Sequence, residues 1–200
     1  MGRPQRANEV LEEALAAARA TDDKGSLSSQ LGTVAEALVK AGKAAEAEQV
    51  LEEALAAARK FPFVTDPSLN LRHLAPVLVK VGKTEELLAA ASEIQNPDLR
   101  HSVLLRVAEA LAEARIDEAA DQAFAAALDA ARAQSFETPR EHALSQTVEA
   151  LAKAGGIDQA LAAAPEIKSL GYRCRTLNRI GTDLAKAGRR EEAASVVSKN

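Results

Sequence analysis

The sequence predicts an all-α chain, built as a solenoid of tandem antiparallel helix pairs. Three observations predict it. First, the segment VLEEALAAAR runs from Val10 to Arg19, recurs from Val50 to Arg59, and returns in diverged form as AFAAALDAAR from Ala123 to Arg132. Second, a turn marker recurs at Gly42, Gly82, Arg115, Gly155 and Gly188, in successive steps of 40, 33, 40 and 33 residues, with Gly2 a further 40 upstream. Third, hydrophobic residues make up 47% of the chain and aromatic residues only 2%. Ala and Leu supply most of the apolar set, Ala is the strongest helix former, and no stretch alternates like a half-buried strand. Such a chain packs helices closely through small side chains.

The marker fixes a register, and the elements follow from it in order. A lone second helix is expected over 5–20. Helix pairs are expected at about 26–60, 68–95, 98–134, 138–168 and 171–199, about eleven helices in all and one repeat domain spanning 1–200. In each pair the first helix carries Leu eleven residues before the marker (Leu31, Leu71, Leu104, Leu144, Leu177) and again four before it (Leu38, Leu78, Leu111, Leu151, Leu184). Val34, Leu74, Val107, Thr147 and Ile180 lie between them, and offsets of three, four and seven put all three sets on one face. Ala35, Ala75, Ala108 and Gly181 fill the next slot, with Val148 the exception, so a second helix can approach closely. The second helix presents Ala47, Leu87, Ala120, Ala160 and Ala193, then Leu51, Ala91, Phe124, Ala164 and Val197.

The connections carry turn chemistry. Asp22-Asp23-Lys24-Gly25, Asp66-Pro67-Ser68, Asn96-Pro97-Asp98 and Thr138-Pro139 read as helix stops followed by caps, with Pro139 suited to a first helical position. Pro76 falls inside a first helix and is expected to kink it, and Pro165 to shorten or bend the second helix of the fourth pair.

The series Leu31–Ala35–Leu38–Gly42–Ala47–Leu51–Ala54 resembles the tetratricopeptide (TPR) pattern: an apolar first-helix position, a small residue four later, then Gly and Ala bracketing the turn. The resemblance covers nearly the whole chain in five copies. It departs where Leu replaces the large aromatics of the motif and where the terminal Pro is missing at Arg59. The resemblance implies a right-handed superhelix whose inner face is lined by first helices, with partner contacts from polar positions there. Carried onto this register, those positions are Arg72, His73, Arg106, Arg175, Asn178, Arg179 and Lys186. Arg pairs with carboxylates in bidentate fashion, so a protein or peptide bearing acidic or carboxylate groups is the expected partner.

Several chemistries are disfavoured. A net charge of -4 and the scarcity of aromatic rings argue against nucleic acid, although Lys168 to Arg190 holds seven basic residues against Asp183 alone. No apolar run is long enough to suggest a membrane span. A single cysteine, Cys174, allows no intramolecular disulfide or multi-cysteine metal site. His73, His101 and His142 occupy different repeat positions and form no ligand pair, so they are read as surface or groove residues. No Gly-rich phosphate loop and no local nucleophile–base pairing is present. The expectation is a non-catalytic, cytoplasmic protein-interaction scaffold with no metal and no cofactor, holding a peptide or helix in a concave groove. The alternative is a structural module that self-associates through its terminal helices, since both ends fall in phase with the repeat. Arg100, Arg140 and Arg173 recur four residues before the first Leu of a unit; there the reading favours a bond to the carbonyl end of the preceding helix, or to a neighbouring acid, over a ligand-facing ladder.

Overall fold

A computed structural model describes the backbone of residues 3–22, 26–60 and 67–198, and the side chains at 6–22, 26–57, 74–194 and 196. Every regular element among these residues is helical, in the order α1 (Arg3–Arg19), α2 (Leu27–Lys40), α3 (Ala44–Lys60), α4 (Pro67–Lys80), α5 (Thr84–Ser92), α6 (Pro97–Glu113), α7 (Asp117–Arg132), α8 (Glu137–Ala154), α9 (Ile157–Ala163), α10 (Leu170–Lys186) and α11 (Arg190–Ser198). A 3₁₀ turn, Ala164–Glu166, follows α9. The all-α class and the eleven helices are as the sequence predicts. No helix among the described residues is long and apolar enough to cross a membrane. The chain forms two compact units, Met1–Ile94 and Gln95–Asn200.

Five helix ends share one construction. Gly42, Gly82, Gly155 and Gly188 have φ between 76° and 99°, and Arg115 joins them at φ 61°. At each, the marker N–H bonds the carbonyl three residues back, and the next N–H bonds the carbonyl of the register leucine: Lys43 to Leu38, Lys83 to Leu78, Ile116 to Leu111, Gly156 to Leu151 and Arg189 to Leu184, at 2.9–3.0 Å. This is the Schellman arrangement, which satisfies the carbonyls a helix end leaves unpaired. The second helix then starts at once, so the marker sets both the stop and the reversal of direction. The register read from sequence is therefore the register of the hairpins, and Arg115 holds a left-handed position that favours glycine.

In Met1–Ile94 the hairpins α2–α3 and α4–α5 form, with α2 packed on both α1 and α4. Leu31, Ala35, Leu51, Leu74, Leu78 and Leu87 are buried there. A Cβ added at Gly32 would lie 2.5 Å from Leu74 Cδ2, so the bare glycine lets α2 and α4 close up. Helix α4 continues through Pro76, which lacks the N–H that would bond the carbonyl of Arg72.

In Gln95–Asn200 the hairpins are α6–α7, α8–α9 and α10–α11, and the first helices α6, α8 and α10 pack side by side. Leu104, Val107, Leu111, Phe124, Leu144 and Leu177 form part of its buried core. Asn96 caps α6, its side chain accepting bonds from the N–H groups of Asp98 (2.9 Å) and Leu99 (3.2 Å), with Pro97 as first helical residue. Helix α8 begins at Glu137, earlier than expected, so Pro139 is the third helical residue. An N–H there would still be unpaired within the helix, and proline costs nothing. Pro165 acts as expected: α9 stops at Ala163 and the chain tightens into a 3₁₀ turn.

Two ion pairs tie the end of a second helix to the following repeat at a fixed sequence interval, Glu53 lying on α3 and Glu166 in the 3₁₀ turn after α9. Arg19 donates to Glu53 (2.5 and 3.0 Å), and Arg132 to Glu166 (both bonds 2.6 Å); each pair is 34 residues apart. Both arginines end the long second-helix segment. The carboxylate bond raises the pKa of each guanidinium, and Arg132 holds Glu166 below its ordinary value. The sequence repeats the same residue types and interval at Arg59 and Glu93. The 33-residue repeats have second helices too short to reach that arginine position.

Candidate functional site

The face presented by α6, α8 and α10 in Gln95–Asn200 carries a groove of about 650 Å³. Its wall is mixed, and the polar part is charged: Glu149 and Lys153 come from α8, and Arg175, Arg179 and Asp183 from α10. The leucine stripe of these helices is spent on the core, with Leu144, Leu151, Leu177 and Leu184 all buried, and Ile180 and Leu184 form part of the groove floor.

The expected contact residues separate. Arg175 and Arg179 line the groove, and both are exposed. Arg179 Nη1 pairs with Glu149 Oε2 at 3.1 Å across the α8–α10 seam. The Arg175 guanidinium lies over the Tyr172 ring, 4.6 Å from its centroid. Tyr172 in turn meets His142 edge-on, with centroids 6.4 Å apart and planes at 65°. Arg106 pairs with Glu109 on its own helix at 3.3 Å and lines an adjoining recess. Asn178 is exposed, and its backbone carbonyl accepts the Thr182 hydroxyl at 2.7 Å. Lys186 is exposed beside Asp183 at 3.9 Å, outside the groove lining. The side chains of Arg72 and His73 lie outside the described residues.

Sequence reasoning gives no site role to Glu149, Lys153 or Tyr172. His142, read as a surface or groove residue, lines the groove. Lys153 stands two residues before the marker, as do Lys40, Lys80 and Lys186. A lysine in a last turn is explained by the helix dipole alone, and that explanation hides it. Arg173 behaves as its class predicts: Nη1 donates to the Ile167 carbonyl at 3.3 Å, just past the preceding 3₁₀ turn.

His101 is a correction. Expected at the surface or in a groove, it is buried between α6 and α8, its Nε2 2.9 Å from Thr147 Oγ1. Thr147 donates to the Ala143 carbonyl at 3.0 Å, so its hydroxyl accepts from His101 and the Nε2–H tautomer is assigned. Burial lowers the imidazole pKa to about 4, against a smaller opposing effect of the Ala143 carbonyl. Two further polar contacts join α8 to α10 and to the residue that precedes it. Ser145 meets Thr176 at 2.5 Å, and Glu141 Oε2 accepts the Ser169 N–H at 2.9 Å. A signal for these was present. Fourteen residues before each marker stand Ser28, Ser68, His101, Glu141 and Cys174, a polar slot one turn before the first leucine. Ser28, His101 and Glu141 are buried there.

No protein-family model matches the chain, and no curated protein does. Among solved structures it is similar to the crystal structure of BtubC (BKLC) from P. vanneervenii, at 17% identity and a TM-score of 0.50, over 100% of this chain and 90% of that one. That likeness speaks for the helical fold alone.

Proposed function

We propose that the chain is a non-catalytic scaffold that holds a peptide or helix of another protein in the groove of Gln95–Asn200. One observation carries this reading: a groove walled by three first helices packed side by side holds the Arg175 guanidinium over a tyrosine ring, with no carboxylate attached among the described residues. A stacked guanidinium has less freedom to lose when it takes a ligand, and a carboxylate is its natural acceptor. Rigid hairpins suit the role, because recognition from helix faces needs a scaffold that does not rearrange. The TPR-like register supports the same face.

Panning a phage-displayed random peptide library against the full chain tests this. Enriched peptides are expected to carry acidic residues, to bind saturably, and to shift amide resonances of α8 and α10. The double substitution Arg175→Glu and Arg179→Glu, with its helix content checked by circular dichroism, is expected to weaken binding at least tenfold. A library that yields no binder, or binders indifferent to the double substitution, would remove the groove as the working surface.

A further inference from the structure

Charge in the groove is unevenly matched. Its acids are engaged: Glu109 with Arg106, Glu149 with Arg179, and Asp183 with Lys186. Of its cations, Arg189 is held by Glu192 at 2.6 Å and Arg179 by Glu149. Arg175 and Lys153 remain, the two lining cations that have no acidic partner among the described residues. The unmatched charge is therefore positive and sits at two places.

The separation of those places comes from contacts across the α8–α10 seam. His142 meets Tyr172, Ser145 meets Thr176, and Glu149 meets Arg179. Arg175 is thus level with about Ser145 on α8. Lys153 lies eight residues further along that helix, roughly 12 Å along the axis at 1.5 Å per residue. The step across from α10 to α8 adds about 9 Å sideways, so the two backbone points are about 15 Å apart. An extended peptide spans about 13 Å in four residues at 3.3 Å each, the long Arg and Lys side chains closing the remainder, and its side chains at i and i+4 project to the same side. Between the two points the wall offers Gln146 and the engaged Glu149–Arg179 pair, which demand no second charge.

We propose that the groove recognises an acidic peptide segment at two points, one carboxylate on Arg175 and a second, about four residues away in extended chain, on Lys153. This rests on the scaffold reading and specifies its partner. Arg175 is the oriented site, fixed by Tyr172. Lys153, a flexible point charge, adds the second contact at high effective concentration once the first has formed.

Extended-chain rulers test the spacing. Peptides with two glutamates separated by one, three or seven threonines keep both carboxylates on the same side of an extended chain and span roughly 7, 13 and 26 Å. Titrated into the ¹⁵N-labelled full chain, the three-threonine ruler is expected to bind roughly three- to tenfold tighter than the other two. It should also shift resonances near both Arg175 and Lys153. Lys153→Gln and Arg175→Gln should each erase that preference, while Lys40→Gln leaves it intact. Affinity that follows total charge whatever the spacing, or a preference that survives Lys153→Gln, overturns the two-point site. If library-derived peptides still bind in an Arg175-dependent way, the scaffold reading stands while this inference falls. If those peptides ignore Arg175, both fall.

Discussion

At the scale of single residues, the buried polar slot matters most for how Gln95–Asn200 responds to its surroundings. His101 is held neutral by burial, with Thr147 accepting its one ring N–H. Its pKa is near 6.5 in an unfolded chain and about 4 in the fold. The neutral form is thus favoured on folding. Its stabilisation is complete above about pH 6.5 and is lost as the pH falls toward 4. A difference of that size is worth about 3 kcal/mol once the ring is forced to charge. Urea unfolding at pH 7 and pH 4 is expected to show a steeper loss for the wild type than for His101→Gln, which cannot charge. Equal losses would mean that the ring reaches solvent when protonated. The charged and titratable neighbours on either side, Asp98 and His142, have opposite effects and do not reverse the sign. Thr147 is the visible trace of this arrangement in the sequence. It stands where other repeats carry Val, Leu or Ile, and a polar residue in a core slot requires a buried partner.

At the scale of helices and turns, sequence and structure agree closely because the information is local. A glycine at a helix end, a leucine four residues earlier and a small residue beside it determine where the chain stops, reverses and packs. That is why the hairpins are legible even with almost no aromatic residues to mark a core. Arg115 sharpens the point. Spacing alone puts it in the marker position, and its backbone adopts the left-handed conformation of the four glycines. A left-handed L-residue costs roughly 1–2 kcal/mol, partly offset in a glycine by its freer unfolded chain. Arg115→Gly should therefore stabilise Gln95–Asn200 by about 1 kcal/mol, read as a higher urea midpoint with unchanged slope. A lower midpoint would show that the arginine side chain contributes more than its backbone costs. The groove is less legible, for the opposite reason. Arg175 and Arg179 stand at polar first-helix positions, and Tyr172 holds Arg175 from one turn away on α10, but Lys153 takes its role from the neighbouring helix. The register of one helix against the next is set by packing across the seam, and the repeat interval of 33 or 40 residues does not state it. The ties from Arg19 to Glu53 and from Arg132 to Glu166 are likewise hidden in copies of one motif. Only the longer repeats extend far enough to form them.

At the scale of the whole molecule, the repeat runs through the entire sequence, yet the fold gathers into two compact units, Met1–Ile94 and Gln95–Asn200. Repeat proteins draw stability from each repeat and from its contacts with the next, so three stacked hairpins can stand alone. Residues 95–200 hold three: α6–α7, α8–α9 and α10–α11. They begin with a capped helix, Asn96-Pro97 supplying the acceptor and the fixed φ that an α6 start requires. Every residue lining the groove falls within them. A chain of residues 95–200 is therefore expected to melt as one cooperative helical transition. It should also bind library-selected acidic peptides within about twofold of the full chain, because every lining residue is retained. Circular dichroism and the peptide titration read the two outcomes separately. A fragment that folds but binds tenfold more weakly would show that residues 1–94 take part in recognition. Arg72 and His73, on the first helix α4 of residues 1–94, would then be the first positions to substitute.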